Sequence, residues 1–412
     1  MHRRDFLQAT SILTTGMFAG VKYPFTHSAE NLFSDANGWR KLFPRMEKEV
    51  FLNAAGGTPL ARFSEHALDR YQDLWKYGRS EGRSDILGDT LQSIRAEFAA
   101  LINANENEIA LVSSTKEGEQ IVLDSLNPWN DRGHLLTNVF HFAGSLHNYE
   151  GHRRNGRDVR IIRSDGWELD AERMVEAIDD STRLVCVTLV SNINGRVEDV
   201  RPIVDKAHEN GALVFADIIQ ATGIYPIDVD ELGVDFAACS AYKWLYGPHG
   251  TGFFYVRDEL QGNRLSDRLY PGHSRLRFAP WTKEGADEGL TFTPPSDARR
   301  YEPGHHNYIG YACTLAGLRF LKMTGVDTVQ KYSCDLARQL RSLVDQDRFP
   351  CISPAEMTSP IIAFEKGDID IMPALMDANI VISVSDRQFR VSPAIFNNEE
   401  DIDLLARALN RV

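Results

Sequence analysis

The sequence predicts an α/β fold in which helices cover both faces of a mostly parallel sheet. Two observations support this prediction. Apolar runs such as LVCVTLV and LVFAD are continuous rather than alternating, which is typical of strands buried on both faces. These runs also alternate along the chain with segments of helical periodicity, as in a doubly wound sheet. Ligands of such sheets bind beyond the carboxyl ends of the strands.

The apolar runs predict seven strands in this sheet, over residues 109–113, 135–139, 159–163, 184–190, 213–217, 236–240 and 252–256. Helices are predicted over 67–75 and 90–103, ahead of the first of these strands. In the segment EDVRPIVDKAHENGA, apolar residues recur at helical spacing and Gly211 ends the pattern. Helices of this kind, lying between the strands, predict the crossover connections that a parallel sheet requires.

The pattern changes at about Tyr301. Helices are predicted over 308–324 and 326–343, short strands over 361–364 and 389–392, and a closing helix over 398–409. We therefore expect a smaller C-terminal α+β domain. The predicted division of the chain is a signal segment at 1–29, an N-terminal arm at 30–58, a large domain at 59–300 and the small domain at 301–412.

Composition narrows the classes of partner. The formal net charge is −13, and the locally basic stretch RRNGRDVRIIR is interpreted as a solvated link between a helix and a strand. We expect no nucleic-acid partner. The five cysteines form no C-x-x-C pair, so neither a metal site nor a disulfide framework is predicted.

The N-terminus reads MHRRDFLQATSILTTGMFAGV, in which Arg3 and Arg4 precede a weakly apolar stretch of small residues. This stretch is too short to span a membrane. The pattern resembles a twin-arginine export signal, which predicts a periplasmic protein that folds before export. The alternative is an amphipathic leader of a cytoplasmic protein.

Polar residues follow several of the predicted strands. Ser114 and Glu117 are spaced as a capping box, and a helix beginning near Thr115 offers N–H groups for a phosphate. Asp217 ends a nearly apolar strand, and Lys243 follows another. Each has a simpler interpretation: an ordinary helix cap, an aspartate paired with an arginine or a helix N-terminus, and a lysine that reaches solvent.

An amine, an acid and a phosphate site at one edge of a sheet suit pyridoxal phosphate. A lysine forms an imine with the aldehyde of this cofactor, and an aspartate keeps its pyridine nitrogen protonated. A poorly solvated lysine also loses its proton more readily, which makes it a nucleophile.

The sequence resembles the class V aminotransferase branch of the fold-type I pyridoxal-phosphate enzymes, which includes cysteine desulfurases and isopenicillin N epimerase-like proteins. The resemblance runs from about Phe51 to the C-terminus, and its most specific parts are ADIIQATG and the later SAYKW segment. It implies a small-molecule substrate of the amino-acid type, a homodimer and pyridoxal 5'-phosphate as the cofactor.

The resemblance implies a role for each matching residue. Lys243 would be the Schiff-base lysine, Asp217 would partner the pyridine nitrogen and Gln220 would contact the phenolic oxygen, with Asn192 at the same edge. The remaining roles are phosphate binding by Thr115, the Lys116 backbone, Ser240, Tyr242 and, from the second subunit, His305; ring stacking by His141; and binding of the substrate carboxylate by Arg390 and Asn53. His141 as a loop histidine and Arg390 as a surface arginine are the alternatives.

One departure from the family pattern concerns the reaction. Cysteine desulfurases carry a catalytic cysteine shortly before the carboxylate-binding arginine, whereas the segment here is ANIVISVSDRQFR. Persulfide chemistry is therefore not expected. Transamination, racemisation or epimerisation, and elimination such as C–S lysis are left open. An alternative is an exported enzyme that modifies a peptide metabolite, such as a siderophore, by an oxidative or decarboxylating reaction.

Two other classes of protein are less consistent with the sequence. A nucleotide-binding oxidoreductase is suggested by GPHGTG, but this stretch precedes a strand instead of joining a strand to a helix. A non-catalytic binding module would not need the set of Lys243, Asp217 and His141.

Overall fold

The computed structural model describes residues 36–78, 86–267, 275–276 and 292–412. The predicted signal segment at 1–29 lies outside the described residues. No helix of the described ranges is long and apolar enough to cross a membrane.

Seven strands form the main sheet, as the sequence predicts. They are β2 (Ile109–Val112), β3 (His134–Asn138), β4 (Val159–Ile162), β5 (Thr182–Thr188), β6 (Leu213–Asp217), β7 (Phe236–Ser240) and β8 (Gly252–Val256). Their order in the sheet is β2-β8-β7-β6-β5-β3-β4. The strand β8 runs antiparallel to both of its neighbours and the other pairs are parallel. The fold class predicted from the sequence is confirmed.

Helices cover both faces of this sheet. The helices of the N-terminal two thirds are α1 (Ala36–Lys41), α2 (Arg62–Tyr77), α3 (Ile86–Leu101), α4 (Thr115–Leu126), α5 (Ala143–Arg154), α6 (Ala171–Glu176), α7 (Val200–Glu209) and α8 (Val229–Leu232). On one face, Phe98 of α3 stacks on Phe253 of β8 at 3.9 Å between ring centroids. On the other face, Ile121 of α4 and Tyr149 of α5 are buried in a separate cluster with Phe215. Two buried faces explain why the strands are apolar throughout.

The C-terminal part contains α9 (Tyr308–Thr324), α10 (Val326–Leu343), β11 (Ile362–Glu365), α11 (Met372–Asp377), β12 (Ile380–Val381), β13 (Ser383–Val384), β14 (Gln388–Val391) and α12 (Glu399–Leu409). A three-stranded antiparallel sheet has the order β11-β14-β13. The short strand β1 (Val50–Phe51) pairs with β12, so the N-terminal segment joins this part. The buried residues Leu336, Phe389 and Leu405 belong to one cluster with Leu52.

Two connections position the site. Helix α9 packs within the core of the main sheet through Tyr311, Leu315 and Leu318. Residues 53–58 run from the C-terminal part to the carboxyl edge of the main sheet, since Ala54 N donates to Ser392 O and Thr58 N donates to Tyr242 O. The site therefore lies where both parts of the chain meet. The remaining pair of strands is β9 (Arg275–Leu276) with β10 (Phe292–Thr293).

Candidate active site

Three adjacent parallel strands place the central residues of the site. Strand β6 ends at Asp217, β7 ends at Ser240, and the loop after β5 carries Asn192. Because β5, β6 and β7 are neighbours, their carboxyl ends lie side by side, as expected for ligand sites in such sheets. Lys243 lies in the turn that follows β7.

Thr115 and Ser240 form a hydroxyl pair at this edge. Thr115 N donates to Ser240 Oγ at 2.8 Å, and Ser240 N donates to Thr115 Oγ1 at 2.9 Å. The helix α4 begins at Thr115 with Ser114 as its N-cap. The predicted capping box is only half formed, because the Glu117 carboxylate accepts from Ser113 N at 2.7 Å instead of from Ser114 N. Hydroxyls beside a helix N-terminus suit a phosphate group.

Lys243 is almost entirely buried, at 5% exposed. Among the described residues its ammonium group has no hydrogen-bond partner, whereas its backbone carbonyl accepts from Thr58 Oγ1 at 2.5 Å. The pKa of Lys243 is lowered to about 8, mainly by burial; the Asp217 charge raises it and the Arg390 charge lowers it. The side chain therefore has a larger neutral fraction near neutral pH than an exposed lysine.

Asp217 is a buried carboxylate with one short contact. Its Oδ1 accepts from Ile219 N at 3.0 Å, and the described part of the chain places no cation in salt-bridge contact with it. Burial raises the pKa of Asp217 to about 6, while the Ile219 N–H and the Lys243 charge act in the opposite direction. A buried carboxylate without a cation favours a positively charged ligand group. The simpler interpretation, pairing with an arginine, is thus not what the described residues show.

His141 is fully buried at the start of α5. Its Nδ1 accepts from Phe142 N at 2.7 Å, which leaves the proton of the neutral ring on Nε2. Nε2 is buried and has no partner within the described ranges. Burial lowers the pKa of His141 to about 4, so the ring is neutral at physiological pH.

Arg390 lies on β14 and reaches the carboxyl edge of the main sheet. Its NH1 donates to the backbone carbonyl of Asn192 at 2.7 Å, and its NH2 donates to Asn53 Oδ1 at 3.3 Å. The Nε atom is buried without a partner among the described residues. Burial lowers the pKa of Arg390 to about 10. A guanidinium held by neutral oxygens suits an incoming carboxylate.

Three predicted residues are placed differently from the group around Lys243. Gln220 uses its amide inside the protein, with Nε2 donating to Ala55 O at 3.0 Å and Oε1 accepting from Trp244 Nε1 at 2.8 Å. The Lys116 ammonium forms a salt bridge with Glu119, and the phosphate contact of the Lys116 backbone stays a prediction. His305 is exposed on the surface.

The sequence reasoning missed three residues at or near the site. Thr58 holds the carbonyl of Lys243, and nothing local in the sequence indicates a contact across 185 positions. His249 stacks on the Tyr242 ring at 4.1 Å between centroids. Glu119 is buried beside Lys116. The sequence contains an indication of Glu119, because this acid lies one helical turn after Thr115 and just before the apolar run IVL, where burial is expected.

The polar groups at this end of the sheet fit pyridoxal phosphate. Asp217 can hold a protonated ring nitrogen, His141 offers a neutral ring for stacking, and the pair of Thr115 and Ser240 suits a phosphate. Lys243 offers a poorly solvated amine. The described ranges contain no group of three His, Cys, Asp or Glu residues that could hold a metal ion.

Comparison with known proteins gives the family. The model of the family "Aminotransferase class-V" matches residues 69–405. The chain belongs to the class-V aminotransferase family. The enzymes of this family use pyridoxal phosphate, so the chain is an enzyme with that cofactor, as the resemblance implies.

Individual relatives and structures are consistent with this family. The chain is 28% identical over 92% of its length to a probable cysteine desulfurase of Methanothermobacter thermautotrophicus, covering 99% of that protein. It is 30% identical over 71% of its length to the uncharacterized aminotransferase YcbU of Bacillus subtilis, covering 75% of that protein. The solved complex of the cystine C–S lyase C-DES with cysteine persulfide has the same fold, with a TM-score of 0.79, 21% identity, and 89% and 98% of the two chains covered.

Proposed function

We propose that the protein acts at the α-carbon of an amino acid or of a metabolite that carries an amino acid, with Lys243 as the catalytic residue. The observation that carries this proposal is the buried Lys243 amine, which has no hydrogen bond or salt bridge among the described residues, lies 5.7 Å from the centroid of the Tyr242 ring and is influenced by the charges of Asp217 and Arg390. Bound pyridoxal phosphate supplies a carbonyl that condenses with an amine and a ring that withdraws electrons from the α-carbon.

The residues around Lys243 would each bind a different part of the cofactor. Asp217 would hold the proton of the ring nitrogen, and Thr115, Ser240, Tyr242 and the Lys116 N–H would bind the phosphate. The neutral His141 ring would cover one face of the cofactor ring, with Gln220 and Asn192 at its edge. Because burial lowers the pKa of Lys243 to about 8, its Nζ can take up and return a proton near neutral pH.

Arg390 would bind the α-carboxylate of the substrate, supported by Asn53. Among the described residues, the guanidinium has a buried Nε without a partner and is held by neutral oxygens. A carboxylate accepting from it would form a charge-assisted contact in a poorly solvated place. This geometry supports amino acids as substrates over the corresponding amines.

The five cysteines support a reaction without a persulfide on the protein. All five lie in the described part of the chain, and four are buried. Burial raises the pKa of the Cys239 thiol to about 12 and that of the Cys313 and Cys334 thiols to about 11, and it also raises the pKa of Cys186 and Cys351. Protonated thiols are poor nucleophiles. We therefore propose transamination, epimerisation or elimination, with C–S lysis among the eliminations.

The first test is the visible absorbance of the purified enzyme. Wild type loaded with pyridoxal phosphate should show the absorbance band of lysine-bound cofactor, and Lys243→Ala should lose this band together with at least about 10³-fold of the turnover, because the amine is gone. Lys206→Ala, on the exposed end of α7, is the matched control. A colourless wild type after reconstitution would refute the proposal.

The second test assigns the reaction and the substrate class. A panel of amino acids, each paired with its decarboxylated amine, is followed by cofactor absorbance, with keto acid, ammonia, sulfide and carbon dioxide measured as products. Each reaction branch leaves a different product. Equal spectral changes with the amines would contradict the role of Arg390.

The twin-arginine sequence favours a place of action outside the cytoplasm. We propose export through Arg3 and Arg4, with a peptide metabolite such as a siderophore as the alternative substrate. Cell fractionation of the full chain should find the protein in the periplasm and the variant R3K/R4K in the cytoplasm. Equal distribution of the two would refute export.

We also propose a homodimer in which His305 of one protomer approaches the cofactor phosphate of the other. The exposure of His305 supports this arrangement, since an exposed residue is available to a second protomer. Light scattering of the purified protein should give twice the chain mass, and a monomer at working concentration would contradict it.

A further inference from the structure

Glu119 is a buried carboxylate with three donors around it. It is 2% exposed. It accepts from Ser145 Oγ at 2.8 Å, forms a salt bridge with Lys116 Nζ and accepts from the Tyr149 hydroxyl. Lys116 Nζ also lies 5.6 Å above the Tyr149 ring. These four residues are referred to below as the Glu119 cluster. Removing one member would leave a buried polar group without its hydrogen bond, which lowers the free energy of unfolding.

The Glu119 cluster joins the two helices that follow two predicted cofactor contacts. Lys116 and Glu119 lie on α4, which begins at Thr115. Ser145 and Tyr149 lie on α5, whose first turn follows His141 directly. Glu119 is four residues after Thr115, which is the spacing of neighbours on one helix face, whereas His141 lies just before the N-cap residue Phe142 of α5. The cluster therefore joins α4, which begins at the predicted phosphate contact, to α5, which follows the predicted stacking ring.

The charge of Glu119 also acts at the site. It raises the pKa of both His141 and Asp217, while burial is the dominant effect at each of them. His141 contacts Tyr149 edge to face, at 5.8 Å between ring centroids. The Tyr149 hydroxyl thus connects the carboxylate to a ring that packs against His141.

We propose that Glu119 is a positioning residue of the cofactor site, which holds the His141 ring in place through Ser145 and Tyr149. This inference rests on the proposed placement of His141 at the cofactor ring. In Glu119→Gln the amide carbonyl still accepts from one hydroxyl, but the amide nitrogen meets the Lys116 ammonium, so two donors face each other.

The experiment measures the Kd of pyridoxal phosphate for the apoenzyme and the visible circular dichroism of the bound cofactor. We expect Glu119→Gln to raise this Kd about tenfold and to reduce the dichroism per bound cofactor. The control Glu209→Gln changes an exposed glutamate in a loose pair with Lys206 at 3.6 Å and should leave both unchanged. Unchanged values in Glu119→Gln would overturn the inference.

A double-mutant cycle with His141→Ala separates positioning from a general loss of stability. If Glu119 acts through His141, the variant with both changes should bind the cofactor no more weakly than His141→Ala alone. Additive losses would overturn the inference while leaving the cofactor site intact. His141→Ala with the Kd and dichroism of wild type would instead refute the placement of His141 itself.

A milder variant covers the case in which Glu119→Gln does not fold. Tyr149→Phe keeps the pair of Glu119 and Lys116 and removes one donor. It should raise the Kd roughly threefold and change the dichroism in the same direction. A lower melting temperature of the apoenzyme with an unchanged Kd would show a purely structural role and overturn the inference.

Discussion

Two buried aspartates lie at opposite ends of the central strands of the main sheet and differ in their hydrogen-bond and salt-bridge partners. Asp235, just before β7, accepts from His208 Nε2 at 2.8 Å and from Val214 N at 2.7 Å, and Arg257 lies 3.5 Å away. Asp217, at the end of β6, accepts from Ile219 N at 3.0 Å and has no other hydrogen bond or salt bridge in the described part of the chain. The first carboxylate is compensated within the protein, and the second is left for a ligand.

The cations near the two aspartates differ in the same way, in whether they have partners within the protein. Near Asp235, Arg201 forms a salt bridge with Asp205 at 2.6 Å and Arg257 donates to Val234 O at 3.1 Å. At the carboxyl ends of the strands, near Asp217, the Lys243 ammonium has no hydrogen bond or salt bridge among the described residues, and Arg390 is held by neutral oxygens. Paired charges indicate structure, whereas buried charges without partners indicate a ligand site.

The largest expected effect comes from exchanging these two aspartates for asparagine. Asp217→Asn should lower turnover by on the order of 10²–10³-fold, because the charge that holds the ring proton is lost. Its free energy of unfolding should equal that of wild type at pH 4 and exceed it by about 2 kcal/mol above pH 6, since burial disfavours this charge. Asp235→Asn should cost about 2 kcal/mol of stability with unchanged turnover per folded molecule.

Steady-state kinetics and denaturant unfolding on both variants check this contrast. If Asp217→Asn kept its turnover, or if Asp235→Asn lost turnover without losing stability, the distinction between the two aspartates would fail. Cofactor binding should persist in both variants, because the phosphate contacts and Lys243 are unchanged.

A smaller effect is expected in the pH dependence of apoenzyme stability. The pKa of Asp217 is raised to about 6, above about 4 in the unfolded chain. The contribution of this carboxyl group to the free energy of unfolding is therefore full below pH 4 and is lost as the pH rises through 6. The pKa of Lys243 is lowered to about 8, below about 10 in the unfolded chain. The contribution of this amine to the free energy of unfolding is therefore full above pH 10 and is lost as the pH falls through 8.

The free energy of unfolding should therefore fall from pH 4 to 6 and rise from pH 8 to 10, by about 2 kcal/mol in each window. Urea unfolding of the apoenzyme measures both slopes. Asp217→Asn should remove the first slope and keep most of the second. A wild-type profile without the acidic slope, or an Asp217→Asn profile that retains it, would contradict the assigned environment of Asp217.

The sequence by itself determined the sheet and the place of the site. Continuous apolar runs located all seven strands, with β6, β7 and β8 correct to the residue, because burial on both faces leaves a local signal. The bounds of β5 shifted to Thr182–Thr188, since Leu189 and Val190 prolong the apolar run into the loop that follows the strand. The positions of Asp217 and Lys243 after their strands followed from the same pattern.

Only the tertiary structure decided which polar groups have partners. The contact of Arg390 with Asn53 joins residues 337 positions apart. The Lys116 ammonium forms a salt bridge with Glu119, and the Gln220 amide hydrogen-bonds to Ala55 and Trp244. The residue types were visible in the sequence, but pairing depends on distance and burial, which the chain acquires only when its distant segments meet.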